Sequence, residues 1–274
     1  MANYTTSDIK ALREKTGAGM MDCKNALDEA DGDQAKAEET LRVKGQKGVA
    51  KREGRNASNG LVAIDVQGGV GVLVEINCET DFVAKGEKFQ QVAATVLAQA
   101  VAVGAPDVET LLASEIDGRT VKVLLDEANA AIGEKIEVRR VARVEGGAVA
   151  SYLHRTNPDL PPQVGVLFAT DVQSDVGRDV AMHIAAMHPS FVTRDEVPAE
   201  LVETERRLAD ETARNEGKPE AALPRIVEGR LQGFFKEAVL VEQPFAKDTK
   251  KTVGALLSES GVTPLAFVRY RVGA

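Results

Sequence analysis

The chain has no tryptophan, and aromatic residues make up only 4% of its 274 positions. Its cores must therefore be packed from valine, alanine and leucine rather than around large rings. Cysteine is scarce too. Cys23 and Cys78 lie far apart, each without a second ligand nearby, which excludes a disulfide framework and the paired spacing of a zinc site. The three histidines, His154, His183 and His188, form no metal-ligand set with them. No nucleophile elbow and no Gly-x-x-x-x-Gly-Lys-Ser/Thr phosphate loop occurs, and Gly17-x-Gly19 and Gly68-Gly69-x-Gly71 read as helix-break and hairpin glycines. No covalent catalyst, metal site or cofactor is expected. No uncharged apolar run approaches ~20 residues, so no membrane span is expected. Met1-Ala2-Asn3-Tyr4-Thr5 lacks the charged and apolar regions of a signal peptide, and the expected compartment is the cytoplasm.

What is present is an ordinary globular composition, 43% hydrophobic and 28% charged, long enough for one large domain or two to three small ones. A net charge of −8 argues against a surface built to grip nucleic acid. One stretch runs the other way. Arg42, Lys44, Lys47, Lys51, Arg52 and Arg55 face only Glu53, with Gly45, Gly48 and Gly54 among them. This reads as a basic linker, residues 46–58, flexible or helical. Nucleic-acid contact is the alternative, but no aromatic is interleaved for base stacking.

Residues 1–45 read as three short helices, with Ile9 and Leu12 on the first, Met20, Cys23, Ala26, Leu27 and Ala30 on the second, and Ala37 and Leu41 on the third. Adjacent Met20 and Met21 sit ~100° apart on a helix, so they cannot both face one core. One of them is expected at the surface, where methionine is an adaptable contact for a partner helix; two peripheral core residues are the alternative.

An internal duplication follows. Gly60-Leu61-Val62-Ala63 leads to Val70-Gly71-Val72-Leu73, and Gly147-Ala148-Val149-Ala150 leads to Val164-Gly165-Val166-Leu167 after a longer loop holding Asn157, Pro158 and Pro161. Each hairpin feeds a helix, near 87–103 and 176–188, and a later alternating strand, Lys135 to Val144 or Leu265 to Arg271, completes each sheet. The predicted fold class is α+β, with two duplicated antiparallel-sheet and helix subdomains at 59–145 and 146–274. The second carries an insertion at 196–242 of two helices, one highly charged from Ala199 to Asn215. The other is amphipathic through Leu223, Ile226, Val227, Leu231, Phe234, Phe235 and Ala238. Such a hairpin projects about 25–30 Å.

Between the first hairpin and its helix lies Cys78-Glu79-Thr80-Asp81-Phe82-Val83-Ala84. A strand-to-helix corner must satisfy orphan amides, and Thr80 or Asp81 is a natural N-cap. One reading is a capped helix start with Phe82 in the core. The other is a protruding loop of small and polar residues that displays an acid beside an aromatic. Residue physics leaves both open.

Thr80-Asp81-Phe82-Val83 resembles the signature of the bacterial elongation factor Ts family, nucleotide-exchange factors for elongation factor Tu. Three further stretches look like the same family, in the expected order over essentially the whole chain. They are Thr16 to Lys24 (TGAGMMDCK), Ala181 to Ala186 (AMHIAA), and Gln243-Pro244-Phe245 with Lys247-Asp248. The resemblance implies that residues 1–45 form a ubiquitin-associated-like three-helix domain that holds the partner's nucleotide domain. It also implies a non-enzymatic function. The chain would bind the GDP form of elongation factor Tu, disturb its magnesium and phosphate site, promote GDP release and be displaced by GTP. Thr80, Asp81, Phe82 and Val83 would dislocate the magnesium site; Met20, Met21 and His154 would be secondary partner contacts. His154 closes Tyr152-x-His154 at a position matching a partner-contacting histidine of the family, whereas His183 reads as a satisfied structural residue. The helical hairpin would serve self-association, as homodimer or heterotetramer, and partner contact, with no direct nucleic-acid or membrane partner. Family members often continue past a strand like Leu265 to Arg271 into another helical module. For a sequence ending at Ala274, contacts from that module are expected to be absent or replaced.

Overall fold

The computed structural model describes residues 3–274 and is of the α+β class. Helix α1 (Thr6–Thr16) starts at a reciprocal cap. Asp8 N–H donates to the Thr5 hydroxyl at 3.3 Å, and Thr5 N–H donates to the Asp8 carboxylate at 2.6 Å. It ends at Gly17, whose φ of 68° an L side chain would resist. Helices α2 (Met20–Glu29) and α3 (Gln34–Arg52) complete a bundle around Leu12, Cys23, Ala26, Leu27, Ala37 and Leu41.

The third helix runs farther than its expected end near residue 45. Residues 46–52, placed by sequence in the basic linker, are its last two turns, leaving only 53–58 as a connection. Packing explains the difference. The glycines read as linker punctuation include Gly45, where a Cβ would stand 3.0 Å from the Cβ of Ala130. That position needs a small residue so that α3 can lie against a later helix.

Strands β1 (Asn59–Gln67) and β2 (Val70–Cys78) form the first hairpin. Then come α4 (Asp81–Lys85), α5 (Glu87–Val103), α6 (Val108–Ala113), the two-residue strands β3 (Glu115–Ile116) and β4 (Arg119–Thr120), α7 (Val121–Ile132) and β5 (Ile136–Glu145). The second hairpin is β6 (Ala148–His154) and β7 (Val164–Thr170), followed by α8 (Gly177–Met187). The inserted helices are α9 (Ala199–Asn215) and α10 (Leu223–Ala238), after which the chain continues through β8 (Pro244–Phe245), β9 (Asp248–Thr252), α11 (Val253–Glu259) and β10 (Pro264–Arg271).

Two antiparallel three-stranded sheets result, ordered β1-β2-β5 and β10-β7-β6. Helices α5 and α7 cover the outer face of the first through Val74, Ile76, Phe89, Val96 and Leu125. Helices α8 and α11 cover the second through Val166, Phe168, Val180, Ile184 and Leu257. The inner faces meet through Val62, Leu73, Val149, Leu167 and Ala169. Because both faces of β2 and β7 are buried, these strands read as nearly unbroken apolar runs.

The repeated Val-Gly-Val-Leu segments meet at the centre in a reciprocal contact. A Cβ on Gly71 would lie 2.9 Å from Leu167, and one on Gly165 would lie 2.8 Å from Leu73. Each repeat's glycine makes room for the other's leucine. Near them an ion pair between neighbouring strands β2 and β5 of the first sheet reaches the chain end beyond β10. Glu75, fully buried, accepts from Arg140 Nε at 2.6 Å and from Gly273 N–H at 3.2 Å, while Arg140 donates to the Arg271 carbonyl and stacks over the Tyr270 ring at 4.4 Å.

In the inserted hairpin, Ala209 and Ala213 of α9 let α10 approach, and Leu223, Val227, Leu231 and Phe235 fill the seam. This stripe is narrower than the sequence pattern, since Ile226, Phe234 and Ala238 are only half-buried. The outer faces carry ion pairs such as Arg207–Glu211, Arg214–Asp210 and Arg230–Glu216.

Candidate functional site

The site is built where β2 gives way to α4. Every residue of β2 from Gly71 to Cys78 is buried, and the chain surfaces at Thr80. Thr80, extended at φ −124° and ψ 154°, is the N-cap, its hydroxyl accepting from Val83 N–H at 3.3 Å. Helical geometry then sorts the next residues. Ala84 turns inward and is buried, while Phe82, two residues or about 200° away, turns outward. Phe82 is 83% exposed, the most exposed large hydrophobic residue of those described. The reading that places it in the core is thus incorrect. That inner volume is taken by Ala84, Phe89 and the half-buried Val83.

The corner is braced from several sides. Thr80 donates both its N–H (3.0 Å) and its hydroxyl (2.6 Å) to the carboxylate of Glu134, in the turn after α7. Its carbonyl accepts from Ala84 N–H at 3.2 Å and from the Cys78 thiol at 3.2 Å. Neighbouring Glu79 accepts from Lys135 N–H at 2.7 Å and from Arg55 at 3.2 Å, and Asn59 donates to its carbonyl at 2.8 Å. Asp81 is exposed and pairs at 3.3 Å with Lys85, one turn along. Burial, helped by the negative charge of Glu134, pushes the Cys78 thiol up to about 12, so it is no nucleophile at neutral pH.

Met20 and Met21 are both exposed, at 42% and 65%, so the expected surface methionine is there twice over and the alternative of two peripheral core residues does not hold. Met20 falls on the core stripe by spacing, but the buried residues of α2 begin at Cys23. Their turn is tied to the same support as the Phe82 corner. A Cβ on Gly17 would lie 3.3 Å from Ala131, Arg52 donates to the Asn129 carbonyl at 3.1 Å, and three residues beyond Ala131 is Glu134. The C-terminal end of α7 therefore carries the N-terminal helices on one side and the corner on the other.

His154 is exposed at the end of β6, an edge strand. Its Nδ1 lies 3.3 Å from the Tyr152 hydroxyl, the two rings stack at 6.1 Å, and its carbonyl accepts from Gln163 N–H. Among the described residues these partners lie within its own hairpin, and none belongs to the Phe82 corner. His183 is buried. Its Nδ1 accepts Ala246 N–H at 3.1 Å, so Nε2 carries the proton and donates to Gln243 at 2.8 Å. Desolvation holds its pKa below the ordinary value, as a neutral structural ring requires. Two of the sequence motifs thus meet as one packing joint, with Phe245 5.9 Å from the imidazole.

Sequence reasoning missed Glu134 and Glu79 as supports. Glu134 is 54 residues from Thr80, and no local spacing betrays the pair.

A family model described as Elongation factor TS matches residues 79–274. The elongation factor Ts of Kineococcus radiotolerans is 64% identical to the chain, and those of Micrococcus luteus and an Arthrobacter species are 62% and 60% identical, each alignment covering all of both chains. The chain belongs to the elongation factor Ts family. In this elongation factor Ts family member the matched span opens at Glu79, one residue before the cap of the exposed corner. Among the described residues, no helix is long and apolar enough to cross a membrane, and no group of three or more His, Cys, Asp or Glu is placed to hold a metal ion.

Proposed function

We propose that the Phe82 corner is the wedge of this chain, a nucleotide-exchange factor for elongation factor Tu in translation elongation. The observation that carries the reading is an aromatic ring 83% exposed on a corner held by hydrogen bonds from two other parts of the fold. An apolar group kept in water at a fixed place gains most when a partner buries it. Phe82 inserts between packed helices of elongation factor Tu and displaces the segment that positions magnesium. Asp81 brings a negative charge to that site, and Thr80 with Val83 fixes the helix start. Met20 and Met21 hold the partner's nucleotide domain, and His154 makes a separate contact from the second sheet.

Such a factor makes and breaks no covalent bond. It binds the vacant partner better than the loaded one, and the coupling is reciprocal, so an incoming nucleotide expels it. Speeding release by four orders of magnitude needs about 5.5 kcal/mol. One buried phenylalanine supplies at most about 1.5–3 kcal/mol. Hence a wide interface, at least ~1,000 Å², must hold the partner while the corner acts. The layout supports this division of labour. Residues 1–45, continued by the last turns of α3 to Arg52, are the holding domain, 53–58 the connection, 59–145 the wedge-bearing subdomain and 146–274 its duplicate. The hairpin at 196–242 is free for self-association, as homodimer or heterotetramer, or for partner contact. The factor works in the cytoplasm, without nucleic-acid contact. Arg52, Arg55 and Lys44 of the basic run are engaged internally with Asn129, Glu79 and Glu29.

The test is to titrate the purified factor against elongation factor Tu, vacant and GDP-loaded. Tighter binding to the vacant form by the same ratio in which the factor weakens GDP supports the reading. Equal affinity for both forms overturns it.

A further inference from the structure

Helix α4 is five residues long, far too short to hold its own shape. The direction in which Phe82 points must come from whatever grips the ends of that turn. At the inner end the grip is the burial of Ala84. At the outer end, among the braces of the corner, one side chain holds Thr80 by two bonds. Glu134 takes both donors of Thr80, and by accepting the hydroxyl proton it turns the oxygen's lone pairs toward Val83 N–H, the capping bond of α4. An ionised acceptor makes these the stronger kind of hydrogen bond. Glu134 itself stands just past the C-terminal turn of α7, which the N-terminal helices approach at Ala130 and Ala131.

From this geometry we infer that Glu134 is a positioning residue for exchange: it acts through Thr80 to fix the orientation of Phe82 relative to the N-terminal helices. The inference rests on the wedge reading above, and it assigns the rigidity of the wedge to a residue that need not touch the partner. A loosened corner still binds, because the holding surfaces are elsewhere, but samples the inserting orientation less often. Loss of Glu134 therefore lowers the maximal rate of nucleotide release rather than the affinity for the partner.

The experiment measures release of a fluorescent GDP from elongation factor Tu over a range of factor concentrations, using the full chain carrying Glu134→Ala, Glu134→Gln, Phe82→Ala, and Phe82→Ala with Glu134→Ala. Glu134→Ala is expected to lower the maximal rate at least about tenfold, since both charge-assisted bonds to Thr80 are lost from the working conformation, with the half-saturating concentration within about twofold. Glu134→Gln keeps one acceptor oxygen and recovers part of the rate. In the Phe82→Ala background, Glu134→Ala has no further effect, since a residue acting only through another is silent once that other is gone. Hydrogen exchange at the Thr80 amide gives a readout without the partner, and it accelerates in Glu134→Ala. An unchanged maximal rate in Glu134→Ala, with Phe82→Ala impaired, overturns the positioning role and leaves the wedge standing. Additive effects in the double variant also overturn it. An unimpaired Phe82→Ala instead overturns the wedge reading itself.

Discussion

Truncating Phe82 to alanine separates the free protein from its complex. In the free chain the ring is 83% exposed, so Phe82→Ala leaves stability within about 0.5 kcal/mol and the melting temperature nearly unchanged. In the complex the same ring has most of its area left to bury. Full burial of a phenylalanine is worth about 1.5–3 kcal/mol, and scaling by the exposed fraction leaves about 1.2–2.5 kcal/mol. At about 1.4 kcal/mol per decade, this is a roughly seven- to sixtyfold loss in the maximal rate of GDP release. Stopped-flow release from elongation factor Tu, at saturating factor, reads that number directly. Phe82→Leu, which keeps much of the apolar area, loses only a few-fold. If Phe82→Ala forms the complex and releases GDP at the original rate, the wedge is wrong. If the loss lies wholly in the half-saturating concentration, Phe82 is an anchor and not a wedge.

Three further outcomes concern the scaffold. His183 is held neutral in the fold, below its ordinary pKa of 6.5, so the unfolded chain binds the proton more readily. Stability is present in full above about pH 6.5 and falls as pH drops through and below that value; thermal melts from pH 8 to 5 follow it, and His183→Gln flattens the slope while costing about 1–3 kcal/mol at pH 8 through an unpaired neighbour. Glu75→Gln leaves Arg140 without its buried counter-charge and lowers unfolding free energy by about 2–3 kcal/mol in urea melts, on the low side because Arg140 keeps a third of its side chain in water. Gly165→Ala places a methyl 2.8 Å from Leu73 and 3.2 Å from Val62, for a loss of about 1–3 kcal/mol that Leu73→Val partly restores.

Much of the fold was legible because the signals were local or repeated. The doubled Val-Gly-Val-Leu hairpins, the apolar stripes of the N-terminal helices and the helix near 87–103 each announce an element within one window of sequence. The short pieces were not, since two-residue strands such as β3 and β8 and the helix α11 carry no period to read. At the site, the resemblance pointed to Thr80 through Val83, but burial rules alone favoured a core Phe82. Only Thr80 serving as the cap sets the phase that turns Ala84 in and Phe82 out. Glu134 stayed invisible because its role depends on a contact closed over half a hundred residues. The packing role of Gly45 was hidden for the same reason: between a flexible and a helical stretch the sequence alone does not choose, until the helix that presses on this glycine, residues 121–132, is known.

The buried carboxylate of Glu75 waits for a backbone amide 198 positions later in the chain. While the protein is being synthesised, β1, β2 and β5 can pair and β6 and β7 can cover their inner face, but Glu75 has only Arg140 for company until Gly273 emerges. A fragment stopped short of Arg271 would therefore be a poor fold, prone to proteolysis, rather than a smaller working factor.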